Sequence, residues 1–319
     1  MKILVTGAAG FIGSHLAETL LKRGDTVVGV DNFNDYYNPT RKRANSARLA
    51  FYEAFRMVEA DIRDRPRMLD LCAAEKFDAI AHLAAMAGVR YAVEHPEIYG
   101  EVNVSGTINL LDGARLNGVG NFIFASTSSV YGDTQVIPFV EDDPCNRPLQ
   151  PYAATKKACE VMGYSYHHLF DLNFCAVRFF TVYGPNGRPD MMAYKVLDSI
   201  FSGREIPLYN GGQMHRDWTY VGDIVAGVVA ALDRPLGYEI INLGRGEPVL
   251  LADFVALIEG LAGRKANLVF TPMIAADVEY TFADIGKARR LLDYNPNVSV
   301  KEGVTRFWRW YRDTILQGK

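Results

Sequence analysis

Tyr152 and Lys156 stand four residues apart, twenty-five residues after Thr127, in a chain that opens with KILVTGAAGFIG. A phenol beside an ammonium can move a proton, and a glycine-rich turn can hold a dinucleotide that carries a hydride. On a helix an i, i+4 pair shares one face, so the spacing predicts Lys156 beneath the Tyr152 ring. A free phenol titrates near pH 10 and is a poor base at neutrality. A cation ~4 Å away, at an effective dielectric near 20, stabilises the phenolate by roughly 4 kcal/mol, or about three pK units. Thr127 would hold a substrate hydroxyl against that phenol. The Y-x-x-x-K spacing by itself equally describes a surface helix. Thr127 at the end of a predicted strand, in the same half of the chain as the glycine turn, favours the catalytic reading.

Gly7-Ala-Ala-Gly10-Phe-Ile-Gly13 falls where a predicted strand ends and a helix begins. The turn needs a residue that tolerates positive φ, backbone N–H groups must approach a pyrophosphate, and the helix must pack closely on the sheet. The helix N-terminus adds unpaired donors and partial positive charge. Asp31 ends the second predicted strand, where its carboxylate can accept from a ribose diol and would repel a 2′-phosphate. Residues Asn32 to Pro39 contain no Arg or Lys to offset that repulsion. NAD, not NADP, is the expected cofactor.

The elements that must position these groups follow from periodicity. The first half alternates short β-branched runs with helical patterns, which reads as an α/β fold, a doubly wound parallel sheet of Rossmann type. The predicted strands are Ile3–Thr6, Thr26–Val30, Phe55–Glu59, Ala79–His82, Phe122–Ala125 and Cys175–Phe179. Ile12, Leu16 and Leu20 mark a helix closed by Gly24. Ile98, Val102, Val104, Ile108 and Leu111 mark a second, ending at Asn117-Gly118. Ala154, Ala158, Val161, Met162, Ser165 and Leu169 mark a third. Texture changes at the loop Gly184–Pro189. The expected division is a nucleotide-binding domain over 1–180 and a smaller α+β substrate domain over 181–319, with 221–243 returning to the first.

Composition bounds the partners. A 319-residue chain with 49% hydrophobic and 22% charged residues is that of a soluble globular enzyme. A formal charge of −3 gives no general attraction to nucleic acid or anionic membrane. Cys72, Cys145, Cys159 and Cys175 lack C-x-x-C spacing, and His15, His95, His167, His168 and His215 lack ligand spacing, so no metal is expected. The first apolar run stops at a glycine loop, unlike a signal peptide, and Ile224–Leu232 is too short to span a bilayer. A cytoplasmic protein is expected.

GAAGFIG, HLAA (His82–Ala85), ASTSSVYG (Ala125–Gly132), Tyr152-Ala-Ala-Thr-Lys156 and Arg178-Phe-Phe-Thr-Val-Tyr-Gly184 together resemble the extended short-chain dehydrogenase/reductase family. DNFNDYY (Asp31–Tyr37), AGVRY (Ala87–Tyr91), RFFTVYGPNGRPDM (Arg178–Met191) and HRDWTY (His215–Tyr220) look most like its UDP-glucuronate 4-epimerases. The resemblance implies tightly held NAD and a transient 4-keto sugar, with Thr127, Tyr152 and Lys156 as the catalytic trio. It implies cofactor contacts from Gly7, Gly10, Phe11, Ile12, Gly13, Asp31, Asn32, Asp61, Ile62, Leu83, Ala84, Ala85, Asn103, Tyr152 and Lys156. Arg216 matches a diphosphate contact and Tyr209 a residue lying against uracil. Arg188 is the candidate for a substrate carboxylate, helped by Thr181 and Ser128, with Arg90 as a second candidate. Related 4,6-dehydratases carry an Asp-Glu pair after the catalytic Thr, and decarboxylases carry a Glu there. Ser128 and Ser129 stand here instead; neither can deliver or remove a proton near neutrality, which favours plain epimerisation. The segment Thr271–Asp277 lacks the Gln-Pro-Gly usual in this group. The second and third helices resemble those that pair into a four-helix homodimer interface. A neutral UDP-glucose 4-epimerase, a UDP-glucuronate decarboxylase and a silent NAD-binding regulator are the alternatives.

Overall fold

Seven parallel strands form the central sheet of the computed structural model, which describes residues 1–273 and 277–317. They are β1 (Lys2–Thr6), β2 (Thr26–Asp31), β3 (Phe55–Glu59), β4 (Ala79–His82), β5 (Asn121–Thr127), β6 (Phe174–Phe179) and β7 (Tyr238–Leu243). Their spatial order is β7-β6-β5-β4-β1-β2-β3. The six predicted strands all form, and β7 adds to the edge beside β6 in parallel register.

Helices cover both faces, so alternate strand residues enter two cores rather than one core and water. Ile3, Val5, Ile123 and Val177 pack with Leu16 and Leu20 of the helix Phe11–Arg23, and with Val225 and Val228 of the helix Val221–Leu232. Leu4, Ile80, Phe122, Phe124 and Phe174 pack on the opposite face with Leu71, Leu110 and Cys159. Connections reverse direction between β1 and β4, and the loops leaving those two strands diverge to open a crevice.

Two helices differ from the expected pattern. The second is continuous in space but changes register, with Pro96–Tyr99 and Gly106–Leu116 α-helical and Gly100–Ser105 wound as a π-helix. The altered register frees the Asn103 carbonyl to accept from Thr107 Oγ1 at 2.5 Å and Cys159 Sγ at 3.2 Å. The third helix, Pro151–Phe170, buries Ala153, Lys156, Cys159, Glu160 and Gly163. The stripe picked from hydrophobicity is its outer face, where Val161 and Leu169 are 54% and 66% exposed. Small and charged residues took the inner face for a packing reason: a Cβ on Gly163 would lie 2.2 Å from the Phe174 ring. All four cysteines are buried and unpaired. Among the described residues no helix is long and apolar enough to cross a membrane.

Beyond Phe180 the chain builds a smaller α+β unit. Strands Thr181–Tyr183 and Trp218–Tyr220 pair in parallel, as do Ile206–Tyr209 and Leu268–Thr271. Helices Met192–Ser202, Leu251–Ala262 and Val300–Trp310 close around a third core containing Trp218, Phe254 and Phe307.

Glu160 and Arg178 form an ion pair of fully buried side chains between that third helix and β6. Arg178 Nε and Nη2 donate to the two carboxylate oxygens at 2.9 and 2.8 Å, and Ser126 Oγ adds a bond at 2.6 Å. Breaking such a pair strands a charge in a low-dielectric interior. Arg178→Met should therefore cost roughly 3–5 kcal/mol, seen as a lower denaturant midpoint, and adding Glu160→Leu should recover much of the loss. An unchanged midpoint in the single variant would contradict this.

Candidate active site

β1 ends at Thr6 and the first helix begins at Phe11, leaving Gly7–Gly10 as the turn. Gly7 has φ +70°, and a Cβ there would stand 2.9 Å from the Ala84 nitrogen. A Cβ on Gly13 would stand 2.1 Å from the Gly7 carbonyl oxygen, so the helix can seat on the turn only without one. Asp31 caps the end of β2, accepting from Ala9 N at 3.2 Å and Phe33 N at 2.9 Å. Burial raises its pKa while Lys42 opposes the rise. Lys42, with Nζ 3.9 Å from Asp31, is a cation that the sequence argument missed. The helix Thr40–Leu49 carries it back to the crevice, with Arg43 next to it on the outer side. Both are already engaged, Lys42 with Asn34 Oδ1 at 2.7 Å and Arg43 with Glu59 at 2.7 and 2.6 Å. Asp61 accepts from Asn32 Nδ2 at 2.9 Å, next to Ile62. A side-chain-free cradle, a ribose acceptor and an amide-bearing edge fit a dinucleotide.

These groups open on a cavity of about 800 Å³. Its wall includes Gly7, Gly10, Phe11, Ile12, Gly13, Asp31, Asn32, Asp61, Ile62, Leu83, Ala84 and Ala85, and continues through Thr127, Ser128, Ser129, Tyr152 and Lys156. Arg90, Thr181, Arg188, Tyr209 and Arg216 line it further along. Asn103 does not reach the wall. Its amide instead accepts from Met86 N at 2.8 Å and donates to Met86 O at 3.1 Å, holding a wall residue by its backbone.

Gln150 caps the helix that carries the phenol and the ammonium, accepting from Ala153 N at 3.0 Å, with Pro151 at the first helical position. Thr127, last in β5, accepts from Ser129 N and donates to Ser129 Oγ, each at 3.2 Å. Burial raises the pKa of Tyr152, while the Arg188 guanidinium and the Thr127 hydroxyl pull it down. The i, i+4 spacing predicts that pull from Lys156. Its Nζ instead donates to Ala125 O at 2.7 Å and lies 4.6 Å from the Phe124 ring centre. Burial lowers the Lys156 pKa to about 8, against the opposing influence of Cys159 and Glu160.

At the other end, Arg90 covers the Tyr209 ring at 4.1 Å, so it belongs with the proposed base-stacking residue instead of beside Arg188. Arg216 Nη2 pairs with Asp277 Oδ1 at 2.8 Å. Residues 274–276 of the atypical segment lie outside the described residues. Tyr36, Lys42, Gly88, Asp190 and Lys195 also stand on the cavity wall, and no spacing in the sequence singles them out. Tyr36, Gly88 and Asp190 belong to motifs noted for resemblance, but only the fold brings the three together.

Comparison with known proteins agrees with this geometry. Residues 3–244 match the NAD dependent epimerase/dehydratase family. The chain belongs to that family. NAD is its cofactor. A UDP-glucuronate 4-epimerase of Thermodesulfobacterium geofontis is 44% identical over 313 residues, spanning 98% of this chain and 96% of that protein. The crystal structure of UDP-glucuronic acid 4-epimerase from Bacillus cereus, in complex with UDP-glucuronic acid and NAD, superposes with a TM-score of 0.92 at 35% identity. That match covers 98% of this chain and 99% of the other. A dTDP-glucose 4,6-dehydratase of Streptomyces venezuelae reaches the same TM-score of 0.92 at 30% identity, covering 99% and 98% of the two chains.

The Lys156 shift yields a stability test. Between a folded pKa of about 8 and an unfolded value near 10.4, the unfolded chain holds the extra proton. This group's contribution to stability therefore rises with pH across that window. In NAD-free protein, the stability of wild type relative to Lys156→Met should increase by roughly 3 kcal/mol or less between about pH 7 and pH 10, read from denaturant unfolding. A pH-independent difference would contradict a desolvated ammonium.

Proposed function

We propose that this protein interconverts the C4 epimers of a UDP-sugar, with UDP-glucuronate and UDP-galacturonate as the preferred pair. The observation that carries the reading is Arg188, a guanidinium on the same cavity wall as the Tyr152 phenol and near enough to pull its pKa down. A carboxylate at C6 of the sugar, two bonds from C4, is a natural partner for a cation so close to the reacting hydroxyl. NAD, which Gly7, Gly10, Gly13 and Asp31 would hold, would supply a reversible hydride acceptor at C4, so no net redox change would accompany turnover. Tyr152 removes the O4 proton and later restores it, with Thr127 orienting the hydroxyl and Lys156 fixed behind them on Ala125 O. Arg216 takes the diphosphate and Tyr209 the uracil.

The 4-keto uronate is a β-keto acid and loses CO2 when its C5–C6 bond stands perpendicular to the carbonyl plane. Arg188, Thr181 and Ser128 hold the carboxylate away from that orientation. Ser128 and Ser129 supply neither the acid nor the base that a dehydration needs. In this reading residues 1–180 with 221–243 serve the cofactor, and the rest of 181–319 serves the nucleotide sugar. The exposed apolar stripe with Val161 and Leu169 supports pairing with a second copy into a homodimer, and the activity is that of a cytoplasmic enzyme.

A neutral substrate, UDP-glucose, is the second reading, because Asp190 already compensates the charge of Arg188. Purified protein given UDP-glucuronate without added cofactor should form UDP-galacturonate, resolved by chromatography, and Tyr152→Phe should lower kcat by about 10²–10⁴-fold. Preferred turnover of UDP-glucose would replace the first reading with the second, and no product from either would reject both. Val161→Asp with Leu169→Asp should halve the mass seen by light scattering; an unchanged mass would contradict the proposed interface.

A further inference from the structure

Three residues from three separate motifs meet at one point. Tyr36, from DNFNDYY, donates its hydroxyl to Asp190 Oδ2 at 3.3 Å. Asp190, from GPNGRPD, accepts from Arg188 Nε at 3.0 Å on Oδ1 and from Nη2 at 2.6 Å on Oδ2. Gly88, from AGVRY, makes room for the phenol: it has φ +112°, and a Cβ there would lie 2.3 Å from the Tyr36 oxygen. Tyr91 of the same motif braces the Tyr36 ring edge-on, with centroids 5.3 Å apart.

The arrangement spends the Nε–Nη2 edge of Arg188 on the protein. Its Nη1 has no hydrogen-bond partner among the described residues, and the residue lines the cavity. A guanidinium offers a carboxylate two alternative edges. With the side edge occupied, an incoming carboxylate meets only the end edge, and its direction is fixed before it arrives. Tyr36 anchors this from the cofactor side, since its loop starts at Asp31 and is tied to Lys42 through Asn34 Oδ1 at 2.7 Å.

We infer that Tyr36 and Asp190 are positioning residues that lock Arg188 edge-on, so that a sugar carboxylate is received in one orientation and epimerisation proceeds without loss of CO2. This rests on the UDP-glucuronate reading above. The error they suppress is defined: the C5–C6 bond of the 4-keto uronate breaks, CO2 leaves, the electron pair passes into the enolate, and a solvent proton adds at C5. The product is a UDP-4-keto-pentose, which becomes a UDP-pentose once the hydride removed from C4 is returned there and Tyr152 gives its proton back to O4.

Asp190→Asn keeps the shape and removes the charge, while Tyr36→Phe removes one hydrogen bond. Freed from Asp190, Arg188 keeps its attraction for the carboxylate but not its direction. In Asp190→Asn, KM for UDP-glucuronate should stay equal or fall, kcat should drop about tenfold, and the fraction of UDP-pentose and released CO2 should rise about tenfold. Tyr36→Phe should move the product ratio the same way by a smaller factor. Arg188→His serves as the reference for a lost clamp, and the NAD content of each purified variant reports folding. Wild type giving no UDP-galacturonate would reject the substrate reading itself. Wild type giving clean epimer, with NAD-loaded Asp190→Asn and Tyr36→Phe that keep its product ratio, would reject the positioning role alone. A raised KM with unchanged pentose fraction would also reject it.

Discussion

A phenol enclosed by protein is harder to ionise than one in water, and the proposed epimerisation uses that phenol as a base. Burial drives Tyr152 toward its neutral form, and two neighbours oppose it, Arg188 and Thr127. The two arrive from different parts of the chain: Thr127 ends the fifth strand of the sheet, and Arg188 belongs to a loop of the smaller unit. The opposition to burial is therefore complete only when that loop lies against the sheet. Lys156 contributes in another manner. Its ammonium is desolvated and tied to a strand carbonyl, which fixes the helix carrying Tyr152 against β5. Behind it, the buried Glu160–Arg178 pair ties that helix to β6.

The fold does not select the reaction. A 4,6-dehydratase shares the backbone with a TM-score of 0.92, the same as the UDP-glucuronic acid 4-epimerase complex. Selection has to lie in side chains around the reacting centre. Three positions there have a chemical capacity that bears on it: Ser128 and Ser129, which cannot act as acids or bases near neutrality, and Arg188, which can meet a carboxylate. The charge arithmetic is balanced, because Asp190 neutralises Arg188 and Asp277 neutralises Arg216. An anionic ligand therefore exchanges one carboxylate partner for another, or uses an edge that the protein has left open.

Much of the sheet was legible because both its faces are covered, so its strands read as short apolar runs bounded by glycine and polar turns. The glycine cradle was legible because a side chain at Gly7 or Gly13 would collide with backbone. Three features were not. The inner face of the helix Pro151–Phe170 carries Lys156, Glu160 and Gly163, which no hydrophobic count would choose, while its apolar stripe points outward. Lys42 approaches Asp31 only because a helix folds back over the crevice. The Tyr36–Asp190 contact joins residues 154 positions apart, beyond any local pattern. The direction of Lys156 was misjudged for a related reason: helical spacing sets which face a side chain leaves from, but not which acceptor its end will find.

The central claim is that Tyr152 handles only the O4 proton while the hydrogen on C4 never exchanges with water. UDP-glucuronate deuterated at C4, converted in ordinary water and followed by mass spectrometry and NMR, tests it most directly. The account predicts UDP-galacturonate with the deuterium still on C4. Label lost to solvent, or found at C5, would contradict it.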